Sequence, residues 1–531
     1  MRLSILHRCG AIIAAIALSA AILPSLVAEA QPVTLLHVND THSHLAAYGP
    51  KNSSLDGTLG GLPKVATIVA AQRAVDPGLL FVHAGDFMDG DFFFNEYLGV
   101  PELKLLQSIG LDAIALGNHE FGFGPVFLRA VLNGAWPGGG GVPVLGTNIS
   151  NCSQIAPWNP GTLIKNVNGV TIGLFGVTTP SGALARPAPC VIEPDLVAVA
   201  TTTVASLRAS GAQVIIALSH AGMDNARLLA STVPGIDVIV NGHDNALLAE
   251  PEVVDRPGGG VTRIVSAGKQ YGWVGRLQLS FSGSTVDFVD YALIPVDAGV
   301  SPDPTVQAVI ETLKTGIVAR YGDVYHDPLA WAKDVIAPEW DERHAKRDTP
   351  LGNLFTDAYR AWTGTDVAVE ALGLLGDPLP AGWIVGADVF RAMSFGIPAM
   401  PIVRPYRLVT FKATGSALVG ALEKTIELGG DYFPQVSGMR LDFDSRRPSG
   451  TWILLHKVHV AGKKIALDKL YSVTVTQGVF SALTNLGMVM QDVVQLPDLA
   501  FTAARDLVEA QGELKPKSSN RIRDVGAKSK D

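Results

Sequence analysis

Five short polar clusters carry residues able to bind divalent cations and to move protons: Asn39-Asp40-Thr41-His42-Ser43-His44, Gly85-Asp86, Gly117-Asn118-His119-Glu120, Ser219-His220 and Asn241-Gly242-His243-Asp244-Asn245. Singly, a D-x-H or G-D pair is unspecific, and an isolated histidine is ordinarily a hydrogen-bonded structural residue. Together they mean more, because burying so many carboxylates and imidazoles side by side is costly unless cations compensate them. Carboxylate, imidazole and carboxamide donors with no cysteine among them suit Mn, Zn or Fe better than Mg or Ca. Two such ions sharing one carboxylate can clamp both the attacking and the leaving oxygen of a phosphoryl displacement.

The clusters follow apolar runs that read as strands: Thr34–Val38, Leu79–His83, Ala113–Leu116, Val214–Ser219 and Val238–Val240, with Ile172–Val177 as a further strand. Helical patterns over Leu62–Val75, Pro101–Ile109 and Asp195–Ala209 lie between them, which implies a layered α/β domain. Active sites of such folds lie beyond the carboxyl ends of strands, so the clusters can converge on one face. After Val261 the pattern turns strand-like without helices, consistent with a closing sheet over Arg263–Ser266, Val274–Phe281 and Thr285–Ala292. Pro304–Tyr321 reads as a connecting helix with proline at its start. A second α/β region is expected over residues 325–510, with helices near Leu351–Trp362 and Gly415–Leu428, and a disordered Lys-rich tail over 511–531.

At 531 residues the chain is too long for one core, and 47% apolar with 17% charged residues excludes a disordered or coiled-coil chain. A formal net charge of −8 leaves no basic face for a nucleic-acid polymer. Residues 1–30 read as a cleaved export signal: Arg2 and Arg8, an apolar run from Gly10 to Val27, then Ala28-Glu29-Ala30. No second long apolar stretch follows, so no stable membrane anchor is expected and the location is periplasmic or extracellular. Cys152 and Cys190 remain in the expected mature chain and can pair.

The order D-x-H, G-D, G-N-H-E, H and G-H-x-N resembles the calcineurin-like metallophosphoesterase superfamily. Leu36-His37-Val38-Asn39-Asp40, Gly60-Gly61-Leu62 and Gly117-Asn118-His119-Glu120-Phe121 are similar, more narrowly, to the secreted 5′-nucleotidase/UDP-sugar hydrolase family. The resemblance implies a layered metallophosphoesterase sandwich over residues 31–300, a linker helix over 301–324 and a second α/β substrate domain. It implies two divalent metal ions, with Asp40, His42 and Asn245 on the first, Asn118, His220 and His243 on the second, and Asp86 bridging them. His119 would bind the phosphate and stabilise charge or protonate the leaving oxygen. The implied substrates are 5′-nucleotides, nucleoside diphosphate sugars or cyclic nucleotides, and the implied domain motion hinges near residues 300–325.

Two departures stand out. The family follows G-N-H-E-F with an aspartate that orients the catalytic histidine, whereas this chain has Gly122; Asp89 and Asp91 are nearby substitutes. In the second domain Arg347 matches a substrate-binding arginine, and Phe395, with Tyr406 competing, and Phe480 match the aromatics that sandwich the base. The family's N-G-G-x-R loop, however, is replaced by the run from Glu370 to Asp377, and its G-G-D segment by Thr484-Asn485-Leu486-Gly487. The hydrolytic centre therefore reads as intact and the nucleotide pocket as remodelled. The same centre acting on a non-nucleotide ester, or a secreted binding protein without turnover, are the rival readings.

Overall fold

The computed structural model describes residues 31–180, 188–283, 285–338, 347–393, 406–515 and 519–527. The expected export signal and Phe395 lie outside the described residues.

Two six-stranded sheets form the first domain. The first runs in the order Thr285–Pro295, Trp273–Ser282, Gln31–Val38, Leu80–His83, Ala113–Ala115, Val144–Leu145. The second runs Glu252–Asp255, Val261–Val265, Val238–Asn241, Val214–His220, Val170–Thr178, Thr162–Val167. The strands that end in the polar clusters are mutually parallel within each sheet, so their carboxyl ends point the same way. Side chains alternate faces along a strand. Val214, Ile216 and Leu218 thus enter the core shared with Val33, Leu35, Leu80 and Val82 of the other sheet. Ile215 and Ala217 face outward, against Leu196, Val204 and Leu229 of the helices Leu196–Ala209 and Met223–Thr232. Burial on both faces explains why these strands read as unbroken apolar runs. The helices Leu62–Val75, Val100–Ser108 and Pro125–Ala135 cover the first sheet, giving four layers.

The second domain centres on a five-stranded sheet ordered Pro434–Ser437, Val367–Ala371, Leu470–Thr476, Arg407–Thr414, Gln491–Leu499. Helix Pro350–Thr363, capped by Thr349, packs beside it. The chain is thus a two-domain α/β protein. The tail expected to be disordered is in part a strand: Ile522–Asp524 pairs with Met439–Phe443. Its polar composition hides an alternation, with Ile522 and Asp524 buried while Arg521 and Arg523 reach Asp357 and Asp442.

One apolar cluster runs from Phe87 and Phe92 through Val306, Ile310 and Ile317 of the connecting helix Pro304–Tyr321 to Phe355, Phe390 and Phe501 of the second domain. Phe92 stacks on Phe390 with ring centroids 3.9 Å apart. Beside this stack, Arg391 meets Asp91 at 2.6 Å and Lys51 meets Asp388 at 2.7 Å, all four side chains buried. A hinge near residues 300–325 would therefore have to part a continuous core. Cys152 and Cys190 form a disulfide.

Candidate metal centre

The loops after the strand ends are backbone-strained where they meet. Asp40, His42, Ser43, Asp86, Asp89 and His243 all have positive φ, between 46° and 91°. Such residues each cost about 1–3 kcal/mol and persist only when surrounding contacts over-determine them. Glu120 supplies much of that constraint. One of its carboxylate oxygens accepts from the amides of Phe87 and Met88, the other from those of Asp86 and Gly117. The loop carrying Asp86 and the turn carrying Asn118 and His119 are thereby fixed by one buried side chain.

The donor atoms of His42, Asp86 and His119 lie within 4.8 Å of one another, and so do those of Asp86, His220 and His243. Asp86 belongs to both groups. His220 Nε2 is 3.0 Å from Asp86 Oδ2 and 4.0 Å from Asp40 Oδ1. Asn118 Oδ1 lies 2.9 Å from His243 Nδ1, and the His243 amide donates to Asp40. His42 and His220 hold their Nδ1 atoms on the carbonyls of Met88 and Ala84, which turns each Nε2 towards Asp86. Backbone anchoring of this kind fixes the orientation of metal-binding imidazoles.

A fully buried cluster so rich in carboxylates is balanced here by protons. Burial works against a charge on His220, but Asp86 and Asp40 outweigh it and push the imidazole up to about 10. Burial likewise opposes charge on His119, yet Asp86 and then Asp89 raise it to about 9. Burial raises Asp40 to about 7 against the pull of His220. His220 Nε2 is buried, with Asp86 Oδ2 as its near partner and Asp40 Oδ1 beyond it. An imidazole nitrogen buried between two carboxylates fits a divalent cation, which would replace the proton as the compensating charge.

Of the residues singled out from the sequence, Asp40, His42, Asp86, Asn118, His119, His220 and His243 come together. Asn245 does not join their contacts: it is exposed, two residues beyond His243, with φ of 55°. Arg347 is half-buried and bridges through its backbone to Arg523. The Tyr406 side chain lies against Gly478, two residues before half-buried Phe480 on the helix Gln477–Asn485. The carboxylate missing at Gly122 is replaced by Asp89, whose Oδ2 is 3.4 Å from His119 Nδ1. Its spacing, three residues after Asp86, was the available signal. Asp91 instead caps the short helix Phe92–Tyr97 and binds Arg391. Sequence reasoning missed the clamping role of Glu120, which accepts from main-chain amides, and the contacts of Asp377 of the second domain with His44, Lys269 and Gln270, because no motif spacing reveals such distant partners.

Residues 33–246 match the family model described as calcineurin-like phosphoesterase, and residues 332–491 match that of the 5′-nucleotidase C-terminal domain. The chain is similar to the trifunctional nucleotide phosphoesterase protein YfkN of Bacillus subtilis (strain 168), 26% identical over 541 residues. That alignment covers 93% of this chain but only 35% of YfkN. It is also similar to the 5′-nucleotidase of Diplobatis ommata, 26% identical across 80% of this chain and 76% of the relative. Among solved structures, the 5′-nucleotidase precursor from Thermus thermophilus superimposes with a TM-score of 0.76 at 26% identity, covering 94% of this chain and 100% of that one.

Proposed function

We propose, on the premise that the chain belongs to the calcineurin-like metallophosphoesterases with a 5′-nucleotidase C-terminal domain, that it releases phosphate from nucleotide-type esters at the Asp86-centred cluster. The observation carrying this reading is that Asp86 is common to two groups of metal-capable donors. Asp40 and His42 would hold one divalent ion, Asn118, His220 and His243 a second, and Asp86 would bridge them. Asn245 completes the first site only if its exposed turn moves inward. When bound, the two ions supply positive charge for the attacking and leaving oxygens of the phosphoryl group.

The remaining work falls to this chain's own residues. His119 holds a proton on the imidazole face that looks towards Asp86 and delivers it to the leaving oxygen, a contribution of about 10²–10⁴-fold. Asp89, at the other ring nitrogen, keeps that ring aligned and favours its protonated form. Glu120 holds His119 and Asp86 in register through the backbone. In the second domain Arg347, Tyr406 and Phe480, with Phe395, are proposed to meet the substrate. Nucleoside diphosphate sugars and cyclic nucleotides are further candidate substrates. Export to the periplasm or beyond is proposed from the leader sequence, and a disulfide fits an oxidising compartment. Among the described residues no helix is long and apolar enough to cross a membrane.

A non-nucleotide ester is the second reading, favoured by the loop after Val367–Ala371. Where the family's loop carries asparagine and arginine, this one sets Leu374, like Tyr406, against Gly478 and directs Asp377 to the first domain. Phosphate release from AMP, UDP-glucose, a cyclic nucleotide and p-nitrophenyl phosphate with added Mn²⁺ separates the readings, with Asp86→Ala as control. Turnover of AMP or UDP-glucose abolished by Asp86→Ala supports the first. Turnover of p-nitrophenyl phosphate alone supports the second, and no turnover by a metal-loaded protein sinks both.

A further inference from the structure

Asp377 belongs to the second domain, yet its carboxylate takes three first-domain side chains. His44 Nε2 lies 3.0 Å from Oδ2, while Gln270 Nε2 and Lys269 Nζ lie 2.5 and 3.2 Å from Oδ1. Asp377 itself is held firmly: its amide donates to the Arg391 carbonyl, that of Gly376 to Ala392, and the Arg391 side chain is paired with Asp91.

Each principal partner leads on to the candidate metal loop in one step. The other ring nitrogen of His44 bonds the His42 carbonyl at 2.8 Å. The Gln270 amide donates to the Asp40 carbonyl, also at 2.8 Å. Gln270 and Tyr271 are consecutive non-glycine residues with φ of 58° and 55°. That turn is strained and needs outside contacts to persist. Asn39 fixes its near side, bonding Ala267 and Gly268, and Asp377 fixes its far side.

We propose that Asp377 is a positioning residue for the metal site, through which the docked second domain sets the backbone of Asp40 and His42. The inference rests on the reading of those two residues as metal ligands. The hydrolytic centre then reaches its working geometry only with the second domain in this place. The loop that lost the family's substrate-contacting residues serves as a brace.

The test is Mn²⁺ binding by calorimetry on the full-length protein, with unfolding temperatures recorded alongside. Variants are Asp377→Ala, the near-isosteric Asp377→Asn, Asp86→Ala, and Arg320→Ala, which breaks the exposed pair of the connecting helix with Glu96. Loss of a partner that orients metal ligands weakens affinity about 10–100-fold. The expected result is weakening in that range for Asp377→Ala, a smaller loss for Asp377→Asn and none for Arg320→Ala. Mn²⁺ affinity within twofold of the parent in both Asp377 variants, while Asp86→Ala loses it, overturns the proposal. Equal loss in Arg320→Ala overturns it too, because any disturbance of the seam would then suffice. Unchanged binding in Asp86→Ala removes the metal-site reading itself, and this inference with it.

Discussion

Nδ1 of His119 lies 3.4 Å from the carboxylate of Asp89, while Nε2 of the same ring stands 3.9 Å from Asp86. The imidazole is thus held between two acids that arrive on one loop, three residues apart. Gly122 leaves the position next to the histidine motif without a side chain, and the loop carrying Asp86 supplies the missing carboxylate instead.

Asp89→Asn is predicted to lower kcat about 10–100-fold with KM nearly unchanged, as expected for loss of an orienting partner. Asp89 also helps raise His119 to about 9. A proton donor fails as pH rises through its pKa, so removing this charge moves the alkaline limb of the rate profile to lower pH. A pH–rate profile with its alkaline limb in place would show that Asp89 does not act on His119.

Metal binding should release protons. With Asp86 and Asp40 raising His220 to about 10, the imidazole is charged at neutral pH in the metal-free protein. It must lose that proton to become a ligand. Affinity for Mn²⁺ is therefore predicted to increase with pH across the neutral range, and calorimetry in buffers of different ionisation enthalpy should count the protons released. A pH-independent affinity would exclude His220 from the site.

Glu370, buried in the second domain with Ala371 and Thr476 as donors, is pushed by burial from 4.5 up to about 8. A folded-state value above the unfolded one means the stabilisation is fully present below pH 4.5 and is lost as pH rises through about 8. Glu370→Gln should flatten that decline in unfolding free energy. An unchanged slope between pH 5 and 8 in denaturant titrations would rule out Glu370 as its source.

The seam offers a fourth test. Arg391→Met leaves Asp91 buried without its cation, which typically costs about 3–5 kcal/mol. Adding Asp91→Leu removes the stranded charge and should restore much of the loss. If the double variant unfolds as easily as the single one, packing against Phe92 rather than the ion pair is what matters there.

Much of this architecture was legible in the sequence because apolar period and chemistry coincide. Leu62–Val75, Pro304–Tyr321 and Gly415–Leu428 are helices with the boundaries their patterns suggested, each opened by glycine, proline or an N-capping side chain. The convergence of Asp40, Asp86, Asn118 and His220 followed from strand ends pointing one way. What stayed hidden depends on partners far away in the chain. The brace at Asp377 joins residues 333 apart, and Ile522 acquires strand character only against Leu441. Neither leaves a local period, so the Glu370–Asp377 run read only as a replaced nucleotide-pocket loop and the polar, Lys-rich composition suggested a loose tail.

That final strand also fixes an order of events during synthesis. Asp348 accepts from the amides of Ser519 and Arg521, and the Arg521 guanidinium grips Asp357 on the helix that opens the second domain. These contacts join the start of that domain to residues 164 to 173 positions later in the chain. The domain therefore cannot close before residues 519–521 have left the ribosome. Nascent chains arrested before residue 519 should remain open to protease in the second domain after the first has become resistant.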